Sequence, residues 1–303
     1  MKIAIIGTGG VGGYLGAKLL KAHPDLILTC VARGAHLKAI RENGLTIIED
    51  ESRFTVHPAI ATDDLSAIPP QDLILFCTKS YDLAKSAAKL SKSITKDTVL
   101  LPLLNGVDHD LTLKSLYPDA EVLDGCVYIL SEIEKAGHIR KKGPFFYMVI
   151  GNREGGSERY NDIAGLFNEA GLKTKLTDRI VYETWKKYLF IGAFAMITSY
   201  YDKSIGWVME HRPEEAETLL REIIAVANAK MIPLGNEDYL RALKQARNIP
   251  YDSKTSMQRD FEAHRPTELE SLGGYIVKEA QFLKVATPLM ERFYKTLKEK
   301  SKK

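Results

Sequence analysis

Apolar and polar positions run on two different rhythms along the 303-residue chain. In the first half, short continuous apolar runs take turns with stretches at helical spacing. Ile3–Ile6, Leu26–Val31, Leu73–Cys77 and Val99–Leu104 are the apolar runs; Tyr14–Lys21, His36–Glu42 and Leu83–Leu90 are the helical ones. A strand that is apolar on both faces is covered on both faces. Such strands alternating with helices predict a parallel sheet. Leu45–Ile48 and Phe54–Val56 flank the polar Glu49–Ser52 and read as a small hairpin. Val122–Leu130, His138–Arg140 and Phe145–Ile150, joined through Gly137 and Gly143-Pro144, predict an antiparallel extension. Tyr160–Ala170 is a helix with Gly171 as its cap, and Leu172–Leu176 a last strand.

From Asp178, which reads as an N-cap, the rhythm is helical almost throughout. Ala216, Leu219, Leu220, Ile223, Ile224 and Ala227 recur at helical spacing. Ala280 and Leu283, then Leu289, Phe293 and Leu297, mark two more helices divided by Pro288. The expected fold is α/β: a doubly wound sheet with an antiparallel extension over residues 1–176, then an all-helical domain over 177–303.

Composition changes this picture little. Hydrophobic residues make up 45% and charged residues 27%, enough for a large core in a soluble protein. With 42 basic against 39 acidic residues, the formal charge of +3 gives no case for nucleic acid or a membrane surface as partner. The longest uncharged apolar stretch, Tyr188 to Tyr201, has 14 residues and suits a buried helix rather than a span. Cys30, Cys77 and Cys126 lie in or near strand-like runs without metal-ligand spacing. They read as buried thiols in a reducing, cytoplasmic setting, and no metal is expected.

The stretch GTGGVGG follows the first apolar run and opens the first helix. Gly7, Gly9 and Gly12 make G-x-G-x-x-G, a motif that gains its weight from this strand-to-helix context. The first glycine turns the chain out of the strand and the second lets backbone N–H groups approach a diphosphate. The third lets helix and strand pack closely. Gly7, Thr8, Gly9, Gly10, Val11 and Gly12 are therefore expected to line a dinucleotide site of Rossmann type, at the positive end of a helix. Arg33 stands 21 residues after Gly12, at the end of the second strand, where NAD sites carry an acid. A guanidinium there grips a 2′-phosphate, which predicts NADP(H). His36, Lys38 and Arg41 are expected to add positive potential. Lys79 and Asn105 follow the carboxyl ends of predicted strands, where ligands of open α/β sheets lie. Each also reads as an ordinary surface or turn residue.

In the second half, ETWKKYLFIGAFAMITSYY is apolar all round from Tyr188. Adjacent helical residues point about 100° apart, so Lys186 and Lys187 do not share one face. A lysine turned into a cleft is desolvated, and its lowered pKa suits proton donation to a carbonyl oxygen. The same stretch also reads as an ordinary Glu183–Lys187 pair. Glu268 falls in a predicted first helical turn, with Thr267 and Glu270 resembling a capping box, and Ser256 reads as a helix-start residue.

Taken together, GTGGVGG, Arg33, CTKS, LLNGV, ETWKK and TSMQRDFEAHRPTELE resemble the ketopantoate reductase (2-dehydropantoate 2-reductase) family over nearly the whole chain. The resemblance implies an NADPH-binding Rossmann domain and a helical domain that completes the cleft. The implied reaction is reduction of ketopantoate to pantoate for coenzyme A synthesis. It implies Lys187 as general acid, Glu268 as the carboxylate that binds the substrate hydroxyl and orients the lysine, and Ser256 as a contact to the substrate carboxylate. Asn105 and Lys79 would line the cofactor and substrate cleft. Family members often carry asparagine where Ile191, Ala195 and Ser253 stand here. That departure leaves another 2-oxo or 3-oxo acid on the same scaffold open; a rival of another class is a non-catalytic NADP(H) sensor, against which Lys187 and Glu268 together speak. A small-molecule 2-oxo acid is thus the expected partner, and the helical domain leaves a homodimer open.

Overall fold

The computed structural model describes residues 1–302. The chain divides into two compact units: residues 1–104 with 108–180, and residues 105–107 with the helical part from Val181.

The first unit runs β1 (Lys2–Ile6), α1 (Gly10–Ala22), β2 (Ile27–Val31), α2 (Gly34–Asn43), β3 (Leu45–Glu49), β4 (Ser52–Val56), β5 (Ile60–Thr62), β6 (Leu73–Phe76), α3 (Leu83–Ala87), β7 (Val99–Pro102), α4 (His109–Leu116), β8 (Glu121–Val122), β9 (Asp124–Tyr128), β10 (Ser131–Lys135), β11 (His138–Lys141), β12 (Tyr147–Gly151), α5 (Asn161–Glu169) and β13 (Thr174–Leu176). Six parallel strands form the main sheet in the order β5-β2-β1-β6-β7-β8. Side chains alternate across a strand, so its two faces feed two cores. Ile3, Ile5, Leu28, Leu73 and Leu75 pack on one face; Ala4, Ile6, Ile74, Phe76 and Leu100 pack on the other. This is why the strands read as continuous apolar runs.

The antiparallel strands divide between two further sheets, β10-β11-β3-β4 and β13-β12-β9. The hairpin around Glu49–Ser52 is β3–β4, with Ile47 opposite Phe54. On its other side β11 joins β3 in parallel. The single strand read over Val122–Leu130 is two: β8 closes the parallel sheet, and after the fully buried Leu123 the chain enters β9 against β12. Gly171 caps α5 at φ +72°, as its position implied. Asp178 accepts the Ser157 N–H at 2.8 Å, two residues before α6 begins.

The second unit holds α6 (Ile180–Tyr201), α7 (Ile205–His211), α8 (Pro213–Ala229), α9 (Asn236–Asn248), α10 (Ser256–Glu262), a π-helical turn over Glu270–Gly274, α11 (Tyr275–Leu283) and α12 (Pro288–Lys300). Its centre is α6. Trp185, Tyr188, Leu189, Phe194, Met196 and Ile197 are each buried to within 1% of completely. At roughly 1.5–3 kcal/mol per large apolar side chain, burying these six contributes on the order of 10 kcal/mol. Proline starts α8 and α12, where its missing N–H costs no helical bond. Among the described residues, no helix is long and apolar enough to cross a membrane.

Candidate functional site

The first unit offers a bare backbone turn. Gly7 takes φ +97°, a conformation that strains other residues, and a Cβ on it would stand 2.8 Å from the Thr78 nitrogen. A Cβ on Gly12 would stand 2.3 Å from the Gly7 carbonyl oxygen. At Gly9, the N-cap of α1, a Cβ would meet nothing within 4 Å. The turn therefore opens outward at Gly9 and is closed inward at Gly7 and Gly12. The first intrahelical bond runs from Gly13 N–H to Gly9 C=O at 2.7 Å, so the N–H groups of the preceding residues lead the helix. No acidic side chain stands in that first turn to compete for the positive helix end. A nicotinamide dinucleotide's diphosphate fits this arrangement of open backbone and uncancelled dipole.

Arg33 is the N-cap residue of α2, and its side chain is 71% exposed. Its guanidinium lies 3.6 Å from the Asp82 carboxylate, a largely exposed pair of small net worth. Beside it, Gly34, Leu37, Lys38, Arg41, Glu42 and Asp63 line a groove of about 400 Å³. Lys38 lies 3.9 Å from Glu42, and Arg41 Nε donates to the Ala61 carbonyl at 2.8 Å. The expected positive field from His36 is corrected by the structure. His36 is half-buried, burial holds its pKa below the ordinary histidine value, and both ring nitrogens engage backbone groups. Neutral imidazole contributes no positive potential. Lys79 follows β6 and caps a short 3-10 turn whose Asp82 N–H bonds the Lys79 carbonyl.

The second unit brings two of the remaining residues into contact. Lys187 Nζ donates to Asn105 Oδ1 at 2.9 Å. The two lysines of ETWKK divide as helical geometry requires: Lys186 pairs with Glu183 one turn earlier, while Lys187 reaches Asn105. Glu268 is buried, at 5% exposure, and its carbonyl accepts Leu272 N–H as the helix after it begins. The turn led by Glu268 is tied to α6 by Tyr188, whose hydroxyl donates to the Leu272 and Ser271 carbonyls at 2.9 and 3.1 Å. Tyr188 is the next residue after Lys187. Sequence patterning treats it as core, because a buried phenol looks the same whether or not its hydroxyl has a partner. In place of the expected capping box, Glu270 accepts from Tyr294 at 2.9 Å and lies 3.2 Å from Lys298. Ser256 opens α10, whose cap Thr255 bonds Thr198 of α6 at 2.9 Å. Thr198 stands eleven residues beyond Lys187 on nearly the same helical face, about 16 Å along the axis. Ile191 and Ala195 lie between them near that face, the first half-buried and the second buried.

Cys30, Cys77 and Cys126 form no disulfide with one another. Burial pushes the Cys30 and Cys77 thiols up to about 12, so neither is a nucleophile near neutral pH.

Known proteins resemble this chain from end to end. It is 31% identical to a crystal structure of 2-dehydropantoate 2-reductase from Porphyromonas gingivalis W83, with TM-score 0.86, covering 98% of this chain and 99% of that one. Over 300 residues it is 27% identical to the uncharacterized oxidoreductase YkpB of Bacillus subtilis strain 168, covering 98% of each. It is 29% identical to the 2-dehydropantoate 2-reductase of Mesorhizobium japonicum, covering 96% of this chain and 95% of that protein. The family description "Ketopantoate reductase PanE/ApbA" matches residues 3–155 and its C-terminal counterpart residues 179–301, so the chain belongs to the ketopantoate reductase family of oxidoreductases.

Proposed function

We propose that this chain reduces a 2-oxo acid with NADPH, and that ketopantoate, giving pantoate, is the foremost substrate. The observation that carries this reading is the 2.9 Å bond from Lys187 Nζ to Asn105 Oδ1. It fixes one N–H bond of an ammonium group on a side-chain carbonyl, and so sets the direction of the group.

The nucleotide, when bound, supplies the hydride to the carbonyl carbon. The N–H groups at Gly9 and the start of α1 hold its diphosphate, and Arg33 holds its 2′-phosphate. Lys79 and Asn105 line the nucleotide beyond the strand ends. Lys187 Nζ gives its proton to the carbonyl oxygen as negative charge develops there, a contribution of roughly 10²–10⁴-fold for a well-placed acid. Glu268, buried and anchored to the lysine's helix through Tyr188, keeps the ammonium oriented and accepts from a substrate hydroxyl. Ser256 faces the substrate carboxylate. Lys187 and Glu268 together speak for catalysis rather than for a sensor of the NADP(H) ratio.

A second reading is favoured by Ile191 and Ala195. They present hydrocarbon beyond the lysine, which suits a 2-oxo or 3-oxo acid with a more apolar side chain. The test is nucleotide oxidation by purified protein with ketopantoate and a panel of branched, aromatic and short 2-oxo acids. Highest kcat/KM with ketopantoate supports the first reading and a preference for an apolar acid the second. Tight NADPH binding without turnover of any acid sinks both.

A further inference from the structure

We propose that His36 is a positioning residue for the dinucleotide, its ring fixing the peptide plane in the glycine turn that aims an N–H at the diphosphate. The inference rests on the nucleotide-binding reading above. Gly137 N–H donates to His36 Nδ1 at 3.0 Å, and Nε2 lies 2.8 Å from the Thr8 carbonyl oxygen. A backbone donor at one ring nitrogen leaves the proton on the other, so the ring is neutral and Nε2–H donates to Thr8. The pKa lowered by burial agrees with that form.

The peptide geometry supplies the consequence. In a trans peptide the carbonyl and the following N–H point to opposite sides, and among the described residues there is no cis bond. Anchoring the Thr8 carbonyl on His36 therefore turns the Gly9 N–H the other way, at the residue whose missing Cβ leaves open space. The preceding peptide is fixed too, because Thr8 N–H donates to the Val31 carbonyl at 2.8 Å. The same ring also holds the tip of the β10–β11 hairpin at Gly137, which takes φ +75°. Arg33 and His36 are the cap and third residue of α2, so one helical turn serves both phosphate positions.

Two substitutions separate the two bonds. In His36→Asn an amide oxygen stands near Nδ1 and answers Gly137, but nothing reaches Thr8. In His36→Gln an amide NH₂ stands near Nε2 and answers Thr8, but not Gly137. Calorimetry would use NADPH, NADH and 2′-AMP, which has the adenosine phosphate without the diphosphate. His36→Asn should weaken NADPH and NADH alike by about tenfold. His36→Gln should stay within about twofold of wild type, and 2′-AMP should bind all three proteins equally. Unchanged NADPH affinity in His36→Asn overturns the inference, as does a tenfold loss in His36→Gln. An equal loss for 2′-AMP overturns it also, since that marks general loosening of α2. Wild type binding neither dinucleotide overturns the nucleotide reading itself.

Discussion

At the scale of single residues, charge and hydrogen-bond chemistry decide what each group can do. Arg33 is exposed and weakly paired, so it can meet a phosphate at little desolvation cost. Arg33→Asp should weaken NADPH far more than NADH, measured as Kd by calorimetry. An equal loss for both would show that the guanidinium does not read the 2′-phosphate. The place of Arg33 just after the second strand was legible in the sequence because its distance from the glycine turn is set by one βα unit. The two bonds of His36 were not. Its partners are a backbone carbonyl and an N–H 101 positions away, and no side-chain pattern records them. Its titration has a sign. Burial, with a smaller effect from His138, holds the folded pKa below the ordinary value, so the folded chain binds fewer protons than the unfolded one in that interval. The stability contribution is full above about pH 6.5 and is lost as pH falls through the folded pKa. Urea unfolding between about pH 5 and 7.5 should therefore show the wild-type stability, relative to His36→Gln, decreasing as pH drops. A pH-independent difference would contradict this.

At the scale of elements, α6 was legible as a buried helix because its apolar residues surround it. Which lysine turns inward was not, since 100° per residue separates Lys186 from Lys187 without saying which direction is inside. The answer lies in Asn105, which enters the second unit as part of a three-residue loop from the sheet. Tyr188 then couples the lysine's helix to the turn that begins at Glu268. Tyr188→Phe keeps the ring's burial and deletes that bond. It should cost about 1–2 kcal/mol in urea unfolding, because the hydroxyl's bonds to two backbone carbonyls are lost in a largely buried setting. A change under about 0.3 kcal/mol would show that water or another group replaces the hydroxyl.

At the scale of the whole molecule, the two rhythms of the sequence correspond to two units with separate cores. The parallel sheet was legible because burial on both faces leaves no polar alternation. The division of the antiparallel strands into two small sheets was not, because periodicity gives the faces of a strand and not its neighbours. Nor did the pattern disclose that residues 105–107 belong with the helices, since three residues after a strand carry no period. The proposed substrate is the least legible part: Ile191 and Ala195 stand where the resemblance expects asparagine, and hydrocarbon does not name a substrate.

The most direct measurement is single-turnover reduction of ketopantoate by NADPH-loaded protein, wild type against Lys187→Met. Methionine keeps most of the lysine's hydrocarbon and removes the ammonium. The account predicts reduction slowed by at least about a hundredfold, with NADPH Kd unchanged within about twofold. Equal rates in the two proteins would contradict it.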